Sequence, residues 1–178
     1  RLVKKLRKSM ELKVINHNGE SIIQVALYGK NRSEKVVEMQ EMVFNKFNFP
    51  INYFKYPIPN CSYGMCLDDL TAKLCEKVDY IYYWDIDSCP IKKNYFEIIY
   101  NKISDHSTLV GCAFRNMHKK KSPTWEFDFV NTGPPVFLSM KLYKSIGKPS
   151  LDHMNERSDT FEELGYQCKS RGYPVCIY

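Results

Sequence analysis

The chain has 178 residues, enough for one domain with a real core, and its composition is that of a globular protein rich in Tyr (13) and Phe (10). Its net charge of +6 gathers largely at 1–8 and 118–121; neither stretch is interleaved with aromatics, which argues against a nucleic-acid platform and leaves a bias toward anionic ligands. The 7 cysteines show no CxxC and no zinc spacing, so they read as reduced thiols of a cytoplasmic, reducing compartment, and no apolar stretch reaches the length of a membrane span.

The elements follow in chain order. Residues 1–8 form a basic surface helix or arm, and Asn16-His17-Asn18-Gly19 is turn chemistry. Ser21 to Tyr28 is a buried strand by its run of Ile22, Ile23, Val25, Ala26 and Leu27, and it ends in the polar loop Tyr28-Gly29-Lys30-Asn31-Arg32. Ser33 can cap a helix in which Val36, Met39 or Gln40, Val43 and Phe47 share a face. Ile51 to Tyr56 reads as a strand stopped by Pro57. Met65 to Lys77 reads as a helix burying Leu67, Leu70, Leu74 and Val78.

Next comes the stretch that organises the chain, Val78 to Pro90. Val78, Ile81, Tyr82, Tyr83 and Trp84 suit a central strand covered on both faces, and the run ends in Asp85-Ile86-Asp87. Side chains two apart on a strand share a side, so Asp85 and Asp87 converge if the extended backbone persists through Ile86. Paired carboxylates repel unless a cation or proton sits between them, and a hard divalent ion completed by substrate phosphates is one solution. The competing reading is a solvated turn, where Asp is common. Trp84 and the surrounding tyrosines are expected mostly in the core.

Beyond it, 92–103 is helical by period and Leu109 to Phe114 is a strand. Trp125 to Val130 alternates as a strand, and Asn131-Thr132-Gly133-Pro134-Pro135 reads as a tight irregular turn. A short helix spans Met140 to Ile146, an amphipathic one Asp159 to Arg171, and a last strand Tyr173 to Tyr178. Alternating strands and helices predict an α/β fold with a mostly parallel sheet, helices on both faces, and ligands beyond the carboxyl ends of the strands. The chain reads as a single domain over 1–178. It starts at Arg1 rather than Met and stops at Tyr178 inside an apolar run, so both ends read as trimmed.

The order of these motifs resembles the GT-A type of nucleotide-sugar glycosyltransferase, a three-layer Rossmann-like fold, over about residues 22–178. The likeness rests on the first strand with its polar loop, Ser62-Tyr63-Gly64 to Asp69, Tyr83-Trp84-Asp85-Ile86-Asp87, Gly133-Pro134-Pro135-Val136-Phe137-Leu138, and the acidic start at Asp159 to Glu163. The resemblance implies that Asp87, with Asp85 directly or through water, coordinates Mn²⁺ or Mg²⁺ bridging a donor diphosphate. His153 would be a further ligand, although a solvated loop histidine is the plainer reading. Tyr28, Lys30 and Arg32 would meet the nucleotide, Asp69 or Asp68 would lie near the base or donor sugar, and Gly133 to Pro135 would line the acceptor side. Asp159, Glu162 or Glu163 would be the general base of an inverting member. By spacing the three acids cluster on a first helical turn, although Asp159 with Glu162 is also a capping-box pattern.

The activity implied is metal-dependent transfer of a sugar, from a UDP-sugar by expectation, to a hydroxyl of a glycan or other acceptor. Two rivals remain. A strand ending in DxD also resembles the haloacid-dehalogenase phosphatases, though Cys89 stands where their pattern has Thr or Val. A non-catalytic nucleotide-sugar binding domain would keep the fold without turnover.

Overall fold

The computed structural model describes residues 11–29, 34–56, 62–101, 109–115, 129–152 and 161–177. A short strand β1 (Ile15–His17) turns at Asn18-Gly19 into β2 (Glu20–Gly29). Asn18 and Gly19 have φ of 50° and 84°, the positive pair that a two-residue hairpin requires, and Asn-Gly adopts it cheaply. The turn was therefore legible in the sequence, but the strand before it was not. Helix α1 (Glu34–Lys46), strand β3 (Asn52–Tyr56), helix α2 (Tyr63–Leu74) and strand β4 (Tyr80–Trp84) follow. They lead to α3 (Tyr95–Tyr100), β5 (Leu109–Arg115), β6 (Phe129–Ser139), α4 (Met140–Ser145), α5 (Glu162–Ser170) and β7 (Val175–Ile177).

The strands form one 7-stranded sheet in the order β1-β2-β4-β6-β5-β7, with β3 also on β2. β2 is parallel to β3 and β4, β5 is parallel to β7, and β6 runs antiparallel between β4 and β5. The α/β class and the mostly parallel sheet are thus as expected. Side-chain alternation sends Ile23, Val25, Ile81, Tyr83 and Leu138 to one face. There they pack with Leu67 and Leu70 of α2, Leu142 of α4 and Leu164 of α5. Ile22, Ala26, Tyr82, Trp84 and Phe137 meet Phe44 of α1 and Tyr95, Phe96 and Ile99 of α3 on the other. The result is three layers, with every residue of β4 buried at the centre. Among polar groups, Gln24 in β2 accepts from Trp84 Nε1 at 3.2 Å and from Tyr95 Oη at 2.8 Å, tying two layers together.

Three expectations need correction. Residues 131–135 are not a turn but part of β6, whose pairing with β5 is interrupted around Cys112. Pro134 and Pro135 have no N–H for a ladder, and the irregularity falls where they stand. The late helix begins at Glu162, not Asp159, because Phe161 before it is left-handed at φ 72°. Asp159, which the spacing put on the first turn with Glu162 and Glu163, lies outside the described residues, and the helix has no side-chain cap at its N-terminal boundary residue. The helix read over 92–103 is described only as Tyr95–Tyr100. No helix among the described residues is long and apolar enough to cross a membrane, and Cys75, Cys89 and Cys168 are thiols outside any disulfide.

Candidate functional site

The carboxyl ends of β3, β2 and β4 lie side by side. Register places Gly29 opposite Tyr56 and Ala26 opposite Trp84, so Tyr28 and the residues after Trp84 meet at one edge of the sheet. Antiparallel β6 pairs Val136 with Tyr83, which carries its preceding residues, Gly133 to Pro135, toward that same edge. Four sequence elements far apart in the chain thus converge where a parallel sheet opens to ligands.

The acidic pair does not continue the strand. Extended structure stops at Trp84, and Asp85 to Ser88 close a turn in which Ser88 N donates to Asp85 O at 3.1 Å and Ser88 Oγ to the same oxygen at 2.9 Å. The expectation of extended geometry through Ile86 is corrected accordingly. The reason is tertiary: Gln40 of α1 donates from Nε2 to Asp85 O at 2.6 Å and to Ser88 O at 2.5 Å, drawing both carbonyls inward. Ile86 is buried, Asp85 half-buried and Asp87 exposed. The turn therefore carries a half-buried and an exposed carboxylate on a backbone fixed beneath them.

Asp85 is braced from α2. Tyr63 Oη donates to Asp85 Oδ1 at 3.3 Å. Burial, then the charge of Asp85, pushes the Tyr63 phenol far above its ordinary range, so it stays a neutral donor at any working pH. Its ring stands edge-on to Tyr56 at 6.1 Å, at the end of β3. The sequence places Tyr63 there by a simple device: Ser62 caps α2, accepting from Met65 N at 3.0 Å. Ser62 also donates to Asp152 Oδ1 at 2.8 Å, while Asp68 accepts from Ser150 Oγ at 2.5 Å and from Leu151 N at 2.6 Å. The segment leading to position 153 is thereby pinned against the helix that holds Asp85.

Gly64 allows that close approach. A Cβ there would lie 2.4 Å from Asp152 Cα, far inside contact distance and against backbone that cannot simply rotate away. Gly64→Ala is expected to destabilise the protein by about 1–3 kcal/mol, as overpacking does. Urea unfolding measures this, and wild-type stability in the variant would contradict the packing of residue 152 on α2.

The other expected residues divide as follows. Tyr28 lies at the edge, with Lys55 Nζ 5.5 Å from its ring centroid; Lys55 is also paired with Glu34 at 2.9 Å. Asp69 instead sits on the exposed side of α2 in an ion pair with Lys73, while its neighbour Asp68 serves the 150–151 contact. Glu163 accepts from Gln167 Nε2 at 2.6 Å within α5. Glu162 opens α5 and Gly133 lies in β6, positions given by the backbone. Lys30, Arg32, His153 and Asp159 lie outside the described residues. Sequence reasoning gave no role to Tyr63, Gln40, Tyr56 or Lys55. The Ser62-Tyr63-Gly64 cap was a usable signal for Tyr63, whereas Gln40 had none beyond being a polar residue on an apolar helical face.

Among the described residues no group of three or more His, Cys, Asp or Glu could hold a metal by itself. Mg²⁺ or Mn²⁺ held by one or two carboxylates and completed by phosphates and water needs no such cage. The hard oxygen donors of Asp85 and Asp87 on a fixed turn fit that mode.

No protein-family model matches the chain, and no curated protein matches it by sequence. Among solved structures it is similar to the mannosyltransferase PcManGT from Pyrobaculum calidifontis in complex with GDP-Man and Mn²⁺, with a TM-score of 0.57 and 8% identity. The match covers 98% of this chain and 59% of that one, so this chain spans about three fifths of that protein's length. At that identity the likeness concerns the backbone: the chain has a glycosyltransferase-like α/β fold.

Proposed function

We propose that the protein is a metal-dependent glycosyltransferase that moves a sugar from a nucleoside-diphosphate donor to an acceptor hydroxyl. The observation that carries this reading is the braced Asp85–Ser88 turn at the carboxyl edge of the central strand. Support comes from the solved mannosyltransferase, which shares the fold and was captured with a nucleotide sugar and Mn²⁺. In this proposal Asp85 and Asp87 hold Mn²⁺ or Mg²⁺, with His153 as a further ligand. That ion supplies Lewis-acid stabilisation of the charge on the departing diphosphate.

The chain's own groups do the rest. Tyr63 keeps Asp85 oriented through a hydrogen bond that titration does not remove. Tyr28 offers an aromatic face to the nucleotide, and Lys30, Arg32 and Lys55 add positive charge near the phosphates. The contact to base or donor sugar falls to Asp69 or Asp68, and Asp69 would have to exchange its ion pair with Lys73 to make it. Gly133 admits the acceptor closely, and Asp159, Glu162 or Glu163 takes the proton from its hydroxyl as it attacks, in an inverting reaction. Glu162 and Asp159 lead, since Glu163 already accepts from Gln167.

A panel of UDP- and GDP-sugars tests the proposal by Mn²⁺-dependent slow hydrolysis, with a generic phosphomonoester beside it. Turnover of one nucleotide sugar and not of the phosphomonoester is expected. Phosphomonoester hydrolysis alone would favour the phosphatase. Metal-dependent nucleotide binding with no turnover over a broad acceptor screen would favour a binding domain.

A further inference from the structure

We infer that Gln40, on α1, is a positioning residue that sets the metal affinity of the Asp85–Asp87 turn from behind; this rests on the proposed metal-diphosphate role of that turn. Gln40 is 4% exposed and occupies the middle of α1, among the apolar residues that face the sheet. Both donor bonds of its amide go to the turn, at 2.6 Å to Asp85 O and 2.5 Å to Ser88 O. Those two carbonyls bracket Asp87. One buried side chain therefore holds the backbone on either side of the exposed carboxylate.

The energetics argue against a merely structural role. Gln40 Oε1 is buried and accepts no hydrogen bond. An unsatisfied buried acceptor costs about 1–3 kcal/mol, which offsets much of what the two donor bonds contribute to stability. The glutamine also sits on a helix face that otherwise calls for a hydrophobe, next to buried Phe44 and half-buried Val36, Val43 and Phe47. What an apolar residue there could not do is hold the two carbonyls inward. Partners that hydrogen-bond ligating side chains commonly change metal affinity by about 10–100-fold when removed, and Gln40 acts one step further back, on the backbone that carries the carboxylates.

The test uses Gln40→Met, which keeps length and apolar packing but has no N–H. The Mn²⁺ concentration giving half-maximal binding of UDP or GDP is followed by calorimetry, and the Mn²⁺ signal by electron paramagnetic resonance. The midpoint is expected to rise about tenfold or more, with little change in thermal stability, because the two lost donor bonds and the relieved buried acceptor oppose each other. Gln40→His, which retains one donor, should fall between the two, and it carries the same comparison if Gln40→Met does not fold. An unchanged Mn²⁺ midpoint in either folded variant overturns the inference. If the wild type itself binds neither nucleotide with Mn²⁺, the metal-diphosphate reading has failed instead, and the two failures are told apart.

Discussion

Asp87→Ala is expected to remove Mn²⁺-dependent nucleotide-sugar hydrolysis by roughly 10²–10³-fold or more, and to abolish metal-dependent donor binding. The carboxylate is exposed on a turn whose backbone is held at both ends by Gln40, so little of the fold depends on it. Its loss should thus appear in binding and rate but not in stability. Removing one preorganised electrostatic partner of a developing charge typically costs about 3–4 kcal/mol in the transition state, which is the fold-change quoted. Asp85→Asn should do nearly as much while keeping the side-chain volume beside Tyr63. A donor affinity left intact by Asp87→Ala, measured with and without Mn²⁺, would mean that the turn holds no metal.

Phe161→Ala is expected to produce a large loss of stability, about 3–5 kcal/mol, read from the urea midpoint. The ring is 1% exposed, 5.0 Å from that of Tyr83, and it joins α5 to the face of the sheet carrying Ile81 and Leu138. It does so from a left-handed backbone at φ 72°, a conformation that a Cβ disfavours by about 1–2 kcal/mol. Burial of the aromatic side chain offsets that strain. Phe161→Gly should accordingly be more stable than Phe161→Ala by about 1 kcal/mol, the reverse of their order in a helix interior. If alanine proves the better of the two, residue 161 is not left-handed and α5 starts earlier than Glu162.

Where local chemistry and tertiary packing agree, the structure could be read from the residues. Tyr80 to Trp84 is wholly buried because a central strand has no solvent face, and that demand is written in its unbroken run of large side chains. Leu67, Leu70 and Leu74 recur at helical spacing and are buried together on α2. That Tyr28 and the residues after Trp84 come to one carboxyl edge of β2 and β4 was legible, but the conformation of Asp85 to Ser88 was not. The bend at Asp85 depends on Gln40, 45 residues earlier in the chain, and local propensity contains nothing of that bond. Gly133-Pro134-Pro135 has the chemistry of a turn, yet the segment runs on as strand between residues 129–133, which pair with β5, and Val136 to Ser139, which pair with β4. Asp159 and Glu162 look like a cap, but the described helix starts at Glu162, after a buried, left-handed Phe161. Each difference arises from a contact between elements distant in sequence.

The central claim is that the Asp85–Asp87 turn binds a divalent ion, and through it a diphosphate. Titrating UDP and GDP into the wild-type protein, once with Mn²⁺ and once with a chelator, tests this without requiring the sugar or the acceptor to be known. Saturable binding of at least one nucleotide that disappears on chelation is the expected result. So is paramagnetic broadening of the bound nucleotide's phosphorus resonances by Mn²⁺. Equal binding with and without the metal, or bound phosphates untouched by its paramagnetism, would contradict it.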